Sequence, residues 1–341
     1  MKFKFIKSVN FELFQHISQF IFVITVMSVN NFNTLGISFS GDTIYFSELS
    51  YREGLLRLEK AGHTKAGFDF SNDFSQFKSS QKEILNISSE IKNFLNSNNI
   101  TTDNVSVSIG AEQAFIIILP LKYNEGRKSL NSRIYWELSN YFPETYTDYV
   151  INTFRMNNVL PSKDYDDFLI IAMHRHTIEF VKRIFKMADI NLGFLDIDHF
   201  SAENSLRKNY ENKLIGKKIL LIGLKKRRID YGYIDNGKYK YFAYSVSKSD
   251  NEYNLSLMRK IKSLLHTDPV SGGVDGIFLY GNEINQDTLN AVKDLAVAEV
   301  EIINPFECIN ASELLLADRE FRKSSYRFCV SSGVALRKIF T

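Results

Sequence analysis

Two hairpin patterns constrain this chain more than any other feature. In the first, Leu35, Ile37 and Phe39 alternate with small residues, Ser40-Gly41-Asp42 supplies turn chemistry, and Ile44, Phe46 and Leu49 resume the apolar run. This is the signature of two antiparallel strands joined by a tight, glycine-assisted turn. In the second, Ile219 to Leu224 leads through Lys225-Lys226-Arg227-Arg228 into Ile229 to Ile234, and Asp235-Asn236-Gly237 then turns into a third strand, Lys238 to Tyr244. Two such openings imply a duplicated α/β fold of two lobes with a cleft between them. The length of 341 residues fits, because one hydrophobic core rarely serves so long a chain.

The segments between the hairpins supply the rest of an α/β architecture. Apolar stripes at helical spacing mark helices at Gln81 to Asn96, Ser129 to Tyr141, Thr177 to Met187, Asp198 to Lys208, Leu255 to Leu265, Thr288 to Leu295 and Ser331 to Ile339. Alternating or continuous apolar runs mark strands at Val105 to Ile109, Ala114 to Leu119, Tyr149 to Met156, Phe168 to Met173, Phe194 to Ile197, Gly276 to Tyr280 and Val300 to Ile303. Gly54 to Ala61 suits either a strand or a short helix. Pro269 to Gly273 reads as a turn.

A net charge of +3 is too small to imply a nucleic-acid partner. Cys308 and Cys329 form neither a metal-type spacing nor a disulfide framework, which suits a reducing compartment. Residues 1–34 form an extension that admits three readings. It is an amphipathic surface helix or extra strand, a weak anchor or leader after Lys2, Lys4 and Lys7, or an upstream run before a start at Met27. It has no apolar run of the roughly 20 residues that a membrane span needs.

Other candidate sites have ordinary explanations. Lys225-Lys226-Arg227-Arg228 is expected to be a solvated turn, with an anion contact as the functional alternative. His174-x-His176 has no third ligand nearby in sequence and is expected to be structural. Asp196 and Asp198 are expected to cap the next helix and serve the crossover rather than act as an acid–base pair. Asp164, Asp166 and Asp167 lack the spacing of a calcium loop.

Five segments in order carry a resemblance to a known family. They are Ile134-Tyr135-Trp136-Glu137-Leu138-Ser139-Asn140-Tyr141-Phe142-Pro143, Ile170 to Arg175 with its following helix, Leu195-Asp196-Ile197-Asp198-His199-Phe200-Ser201-Ala202, Ile303-Asn304-Pro305-Phe306-Glu307, and Ser331-Ser332-Gly333-Val334-Ala335-Leu336-Arg337. From about Leu35 to Lys338 the chain resembles the type IV pilus assembly protein PilM family, FtsA-related members of the actin-like ATPase superfamily. The resemblance implies a two-lobed actin-like (ribonuclease H-like) fold. Its parts would be a first subdomain over residues 35–104 and 195–215, an inserted subdomain over 105–194, and a second lobe over 216–341 that includes the C-terminal helix.

In that superfamily the two hairpins grip the phosphates of ATP with Mg²⁺, and this sequence departs from the family there. Ser38 stands at the family's Asp, Ser40 at its Gly and Tyr45 at its Lys. In the second hairpin Gly223 falls at the family's Asp and Lys225 at its Gly, while the adenine-side loop reads Gly281-Asn282-Glu283 in place of three glycines. Mg²⁺ needs carboxylates, and phosphates need backbone free of Cβ atoms. Between the strand at 241–246 and the helix at 255–265 only residues 247–254 remain of the family's several-dozen-residue lid. The expectation is therefore a pseudo-ATPase that has lost ATP and Mg²⁺, with no catalytic and no metal-binding residues.

The resemblance also implies a partner, the short cytoplasmic N-terminal peptide of a PilN-like inner-membrane protein. Trp136, Tyr141, Phe142 and Pro143 are the residues expected to line its groove, with core packing as the plainer alternative. The expected role is a non-catalytic cytoplasmic adaptor at the inner face of the inner membrane, in a pilus or related secretion machine. Two alternatives stand beside it. One is a divergent ATPase in which Lys225 or Arg228 holds phosphates and Asp42 or Asp230 replaces the lost carboxylates. The other is an adaptor of type II secretion, like GspL, or of cell division, like FtsA.

Overall fold

The computed structural model describes residues 32–122, 127–156, 165–247, 249–265, 273–295, 298–312, 315, 317–337 and 339. Residues 1–31 of the extension, Asp164, residues 269–272 of the expected turn and Lys338 lie outside the described residues.

The chain opens with β1 (Phe32–Ser40), β2 (Thr43–Arg52) and β3 (Leu55–Lys65), followed by α1 (Gln81–Ser97) and β4 (Val105–Ile109). Next come β5 (Ala114–Lys122), α2 (Arg127–Tyr141), β6 (Tyr149–Met156) and β7 (Tyr165–His174), then α3 (Arg175–Met187) and β8 (Leu192–Ile197). α4 (Asp198–Leu214) crosses to the second lobe. There β9 (Lys218–Leu224), β10 (Arg228–Asp235) and β11 (Lys238–Val246) precede α5 (Asp250–Leu265), β12 (Gly276–Tyr280), α6 (Gln286–Leu295) and β13 (Glu299–Ile302). The chain returns through β14 (Asn310–Ala311), α7 (Arg319–Ser324) and α8 (Cys329–Arg337).

The duplication expected from the hairpins is realised in the sheets. The first runs β14-β3-β2-β1-β4-β8 and the second β11-β10-β9-β12-β13. In each, the first three strands form an antiparallel meander and the first strand also pairs in parallel with the strand beyond it. The turns explain the registers. Asn236 and Gly237 both have positive φ, as do Glu53 and Gly54. Such pairs suit the two-residue hairpin turn whose twist matches the strands. The second pair resolves the ambiguity at Gly54 to Ala61, which is strand β3.

Two expected boundaries move. The inserted subdomain was to begin at 105 and end at 194, but β4 pairs with β1, and β8 with β4, so both belong to the first sheet. The separate layer is the sheet β5-β7-β6, with Leu119 and Ile170 packed against Ile134 and Leu138 of α2. Its other face joins the first-lobe core through Ile116, Leu169 and Met173, with Val181 and Phe185 of α3. The C-terminal helix, expected in the second lobe, packs on β1, β2, β4 and α4 of the first. The cause is visible at two glycines. A Cβ at Gly36 would overlap the Ser331 carbonyl, and one at Gly333 would overlap the Ser201 carbonyl. Only glycine lets α8 approach β1 and α4 this closely.

The lobes meet at α4 and at the returning chain. Asn209 of α4 donates to the Pro305 carbonyl and accepts from the Cys308 N–H, both at 2.9 Å. It thereby ties the outgoing and returning crossings together. β11 ends at Val246 and α5 begins at Asp250, so the expected lid is reduced to a short connection.

Candidate functional site

The lobes face each other where Ser40 at the end of β1 meets Asn282 and where Asp69 meets Lys226 of the basic turn, and beside these contacts the cleft is occupied by protein charge. The Lys225 side chain is 13% exposed. Its ammonium stands 2.5 Å from Asp198, 2.7 Å from Asp230 and 3.4 Å from Glu112. Arg228 donates to Asp230 at 2.7 Å, and Asp230 is fully buried. Among the described residues no group of three or more His, Cys, Asp or Glu has metal-holding geometry; these three carboxylates surround an ammonium instead.

Local geometry builds this cluster. The Lys225 N–H bonds to the Arg228 carbonyl at 3.1 Å, closing the turn and leaving the two residues paired across the strand ends. Side chains alternate along a strand, so Arg228 and Asp230 share a face. Asp198 opens α4 and accepts from the Ala111 N–H at 3.0 Å. Glu112 follows in the same short turn before β5.

The electrostatics follow from two cations meeting three acids out of water. Burial alone would depress the Lys225 ammonium, but Asp198, Asp230 and Glu112 outweigh it and hold it above the ordinary lysine value. Burial would raise Asp230, yet Lys225 and then Arg228 hold it down at about 2. Asp198 goes the other way. Burial lifts it to about 7 against the pull of Lys225, and Glu112 and Asp230 add to the rise. Asp230 has two cationic partners and Asp198 one, so the two carboxyls shift in opposite directions.

The basic turn was expected to be solvated. That holds for Lys226, which is exposed and lies 3.7 Å from Asp69 of the first lobe. It fails for Lys225 and Arg228, which point inward because buried carboxylates face them. The Arg228 guanidinium also stacks 4.1 Å above the Tyr244 ring.

The other sequence-predicted positions fall as follows. Gly223 lies in register with Asp230 on one side and Tyr280 on the other, and a Cβ there would overlap the Tyr280 phenol. The Tyr280 phenol therefore fills the space beside Gly223. The Tyr280 hydroxyl bonds His199 Nδ1 at 2.9 Å, a buried pair that the sequence did not signal. Burial pushes the His199 imidazole down to about 3. Gly281 has φ +113° and passes against the Leu224 backbone. Its neighbour Asn282 donates to Ser40 Oγ at 2.8 Å, joining the hairpin of one lobe to the loop of the other. Ser38 is buried within β1, opposite Tyr45. Tyr45 sits in the core with Phe306 and Leu336, edge-on to Phe328 at 5.7 Å. Asp42 is exposed and paired with Lys65 at 2.5 Å.

His174 and His176 are structural: His174 Nδ1 accepts the His176 N–H at 3.2 Å and caps α3. Asp196 serves the crossover, bonding Ser201 Oγ and Arg337 Nε at 2.9 Å each. Asp166 pairs with Arg155.

Of the aromatic group, Trp136 is 64% and Tyr141 52% exposed on α2. Phe142 is packed, stacked on Tyr149 at 4.7 Å and edge-on to Phe115 at 5.2 Å. Tyr141 also meets Phe115, at 4.8 Å. Pro143 is exposed just past the helix. Tyr141 and Phe142 therefore share one ring, Phe115, while Trp136 stands open on its own.

Comparison with known proteins places this geometry in a fold. No protein-family model and no curated protein sequence matches the chain. A solved structure of a PilM-PilN type IV pilus biogenesis complex superposes with a TM-score of 0.73 at 12% identity, covering 90% of this chain and 98% of that one. The chain has an actin-like fold. Two looser similarities are a protein of actin-like ATPase fold from Bacteroides thetaiotaomicron (TM-score 0.45, 15% identity, 85% and 96% coverage) and the cytoplasmic domain of EpsL, an inner-membrane component of the type II secretion system of Vibrio cholerae (0.39, 10%, 83% and 89%). The fold expected from the sequence is thus the fold observed. Among the described residues no helix is long and apolar enough to cross a membrane.

Proposed function

We propose that this chain is a PilM-like adaptor at the inner face of a bacterial membrane, in a type IV pilus or related secretion machine, and that it works without nucleotide chemistry. One observation carries the second half of this reading. At the meeting of the two hairpins, where actin-like ATPases hold Mg²⁺ and phosphates, this chain supplies its own cation in Lys225 and surrounds it with Asp198, Asp230 and Glu112. A Mg-nucleotide would first have to separate that cluster. Breaking a buried ion pair costs about 3–5 kcal/mol, a loss of roughly two to four powers of ten in affinity. Asn282 and Ser40 would have to part as well.

The similarity to a PilM-PilN complex supports the first half. The proposed partner is the cytoplasmic N-terminal peptide of a PilN-like membrane protein. Its proposed seat is the end of α2, where Tyr141 is open beside Phe142 on the shared Phe115 ring and Trp136 is open on its own five residues earlier. Exposed aromatic side chains are favoured anchors for a peptide that brings aliphatic groups. The test is calorimetric titration of the protein with that synthetic peptide. The account expects binding that Trp136→Ala and Tyr141→Ala each weaken about tenfold or more. Full affinity in both variants, or no binding to the wild type, would contradict it.

A further inference from the structure

The shortened connection between β11 and α5 leaves a surface that the cleft reading does not use. β11 pairs with β10 on one side and ends the second sheet on the other; part of its length lies close to β5, and its last residues are open. A recess of about 440 Å³ runs between this edge and the flank of α5, lined by Ser245 and Val246 of the strand and by Leu255, Ser256, Arg259 and Lys260 of the helix. The helix residues recur at three- and four-residue spacing, so one flank of α5 faces the strand edge. An unpaired strand end beside a helix flank is a place where a peptide can add as a further strand.

The two faces of an added strand would meet different chemistry. Ser245 bonds the hydroxyl of Tyr231, which lies in the core that α5 covers, so the Ser245 side of β11 is the α5 side. An added strand would present alternate residues to Arg259 and Lys260 there. Among the described residues neither of these cations has an ion-pair partner, and Glu252 is the one acid in the recess lining. On the opposite face Tyr244 and Val246, two residues apart, are exposed apolar side chains. Further along the edge Lys238 adds its charge beside Lys240, whose ammonium is depressed by burial and then by that neighbour. A second copy of β11 would set lysines against lysines and is disfavoured.

We infer that the β11 edge and the α5 flank form a second docking surface, for an extended segment of a partner protein that alternates acidic and apolar side chains. This surface is independent of Lys225 and of Trp136.

The test uses the full chain and a dye-labelled, acetylated peptide of alternating valine and glutamate, followed by fluorescence anisotropy. Expected is saturable binding that falls about tenfold or more in the Arg259→Glu, Lys260→Glu double variant, and that is absent for a valine–lysine peptide. A peptide with proline at the valine positions, which cannot donate to a strand edge, should also fail. Trp136→Ala should leave binding unchanged, which separates this surface from the α2 seat. The inference is overturned by no binding of the acidic peptide, by full affinity in the charge-reversed variant, or by displacement with inorganic phosphate alone. It is equally overturned if sedimentation finds a dimer of this chain that the same double variant dissolves.

Discussion

Removing the Lys225 ammonium would leave Asp198, Asp230 and Glu112 with Arg228 as the cation nearest them. Lys225→Met is expected to destabilise the protein by about 3–5 kcal/mol in urea unfolding, because it strands buried charge rather than because it removes a favourable contact. Asp198→Asn in the same chain should recover part of that loss. A cost under about 1 kcal/mol for Lys225→Met would mean that the ammonium is solvated. His199 makes a second prediction. Its imidazole is held at about 3 in the fold against 6.5 when free, so it contributes stability that is present above pH 6.5 and lost as the pH falls toward 3. Asp198, raised to about 7 from 3.8, has the opposite sign: its contribution is present below 3.8 and lost as the pH rises through 7. His199→Gln should therefore lose about 2–3 kcal/mol less than the wild type between pH 6.5 and about two units below it, read as unfolding free energy at each pH. An imidazole that titrates near 6.5 by NMR would contradict this. Little of this cluster was legible beforehand. The Arg228-x-Asp230 spacing put those two on one face, but nothing in the sequence tells that Asp198, far upstream, stands opposite Lys225. A run of four cations in a turn is ordinarily solvated, and only the tertiary structure reverses that for two of them.

Two segments that carried the family resemblance separately, Leu195 to Ala202 and Ser331 to Arg337, form one packed unit. Asp196 bonds Arg337, Ser201 lies against Gly333, and Ser205 donates to the Cys329 carbonyl at 2.7 Å. α8 is thus a core element of the first lobe. Gly333→Ala should cost about 3 kcal/mol or more, since the added methyl meets a backbone carbonyl that cannot turn aside. Thermal unfolding checks it, and a wild-type midpoint would show that α8 can slide off α4. At this scale the sequence was informative. The hairpins, the helix stripes and the turn residues all reported local periodicity, which local chemistry sets. The boundaries of the inserted layer and the lobe that owns α8 were not legible, because strand pairing between distant segments and close helix approach leave no periodic trace. The small residues of α8 were visible, but not what they pack against.

At the scale of the molecule, two lobes of one strand order are joined by α4 and the returning chain, with Asn209 tying the two crossings. The cleft between them is bridged by Asn282 to Ser40, Lys225 to Glu112 and Asp198, and Lys226 to Asp69. In the role proposed above, such a body would transmit position between partners on its surface rather than open and close on a ligand. Calorimetric titration of the purified protein with Mg-ATP tests this most directly. The account predicts no binding heat up to about 1 mM nucleotide. Saturable micromolar binding would contradict it, for the Lys225 cluster would then have to open and release its carboxylates to the metal.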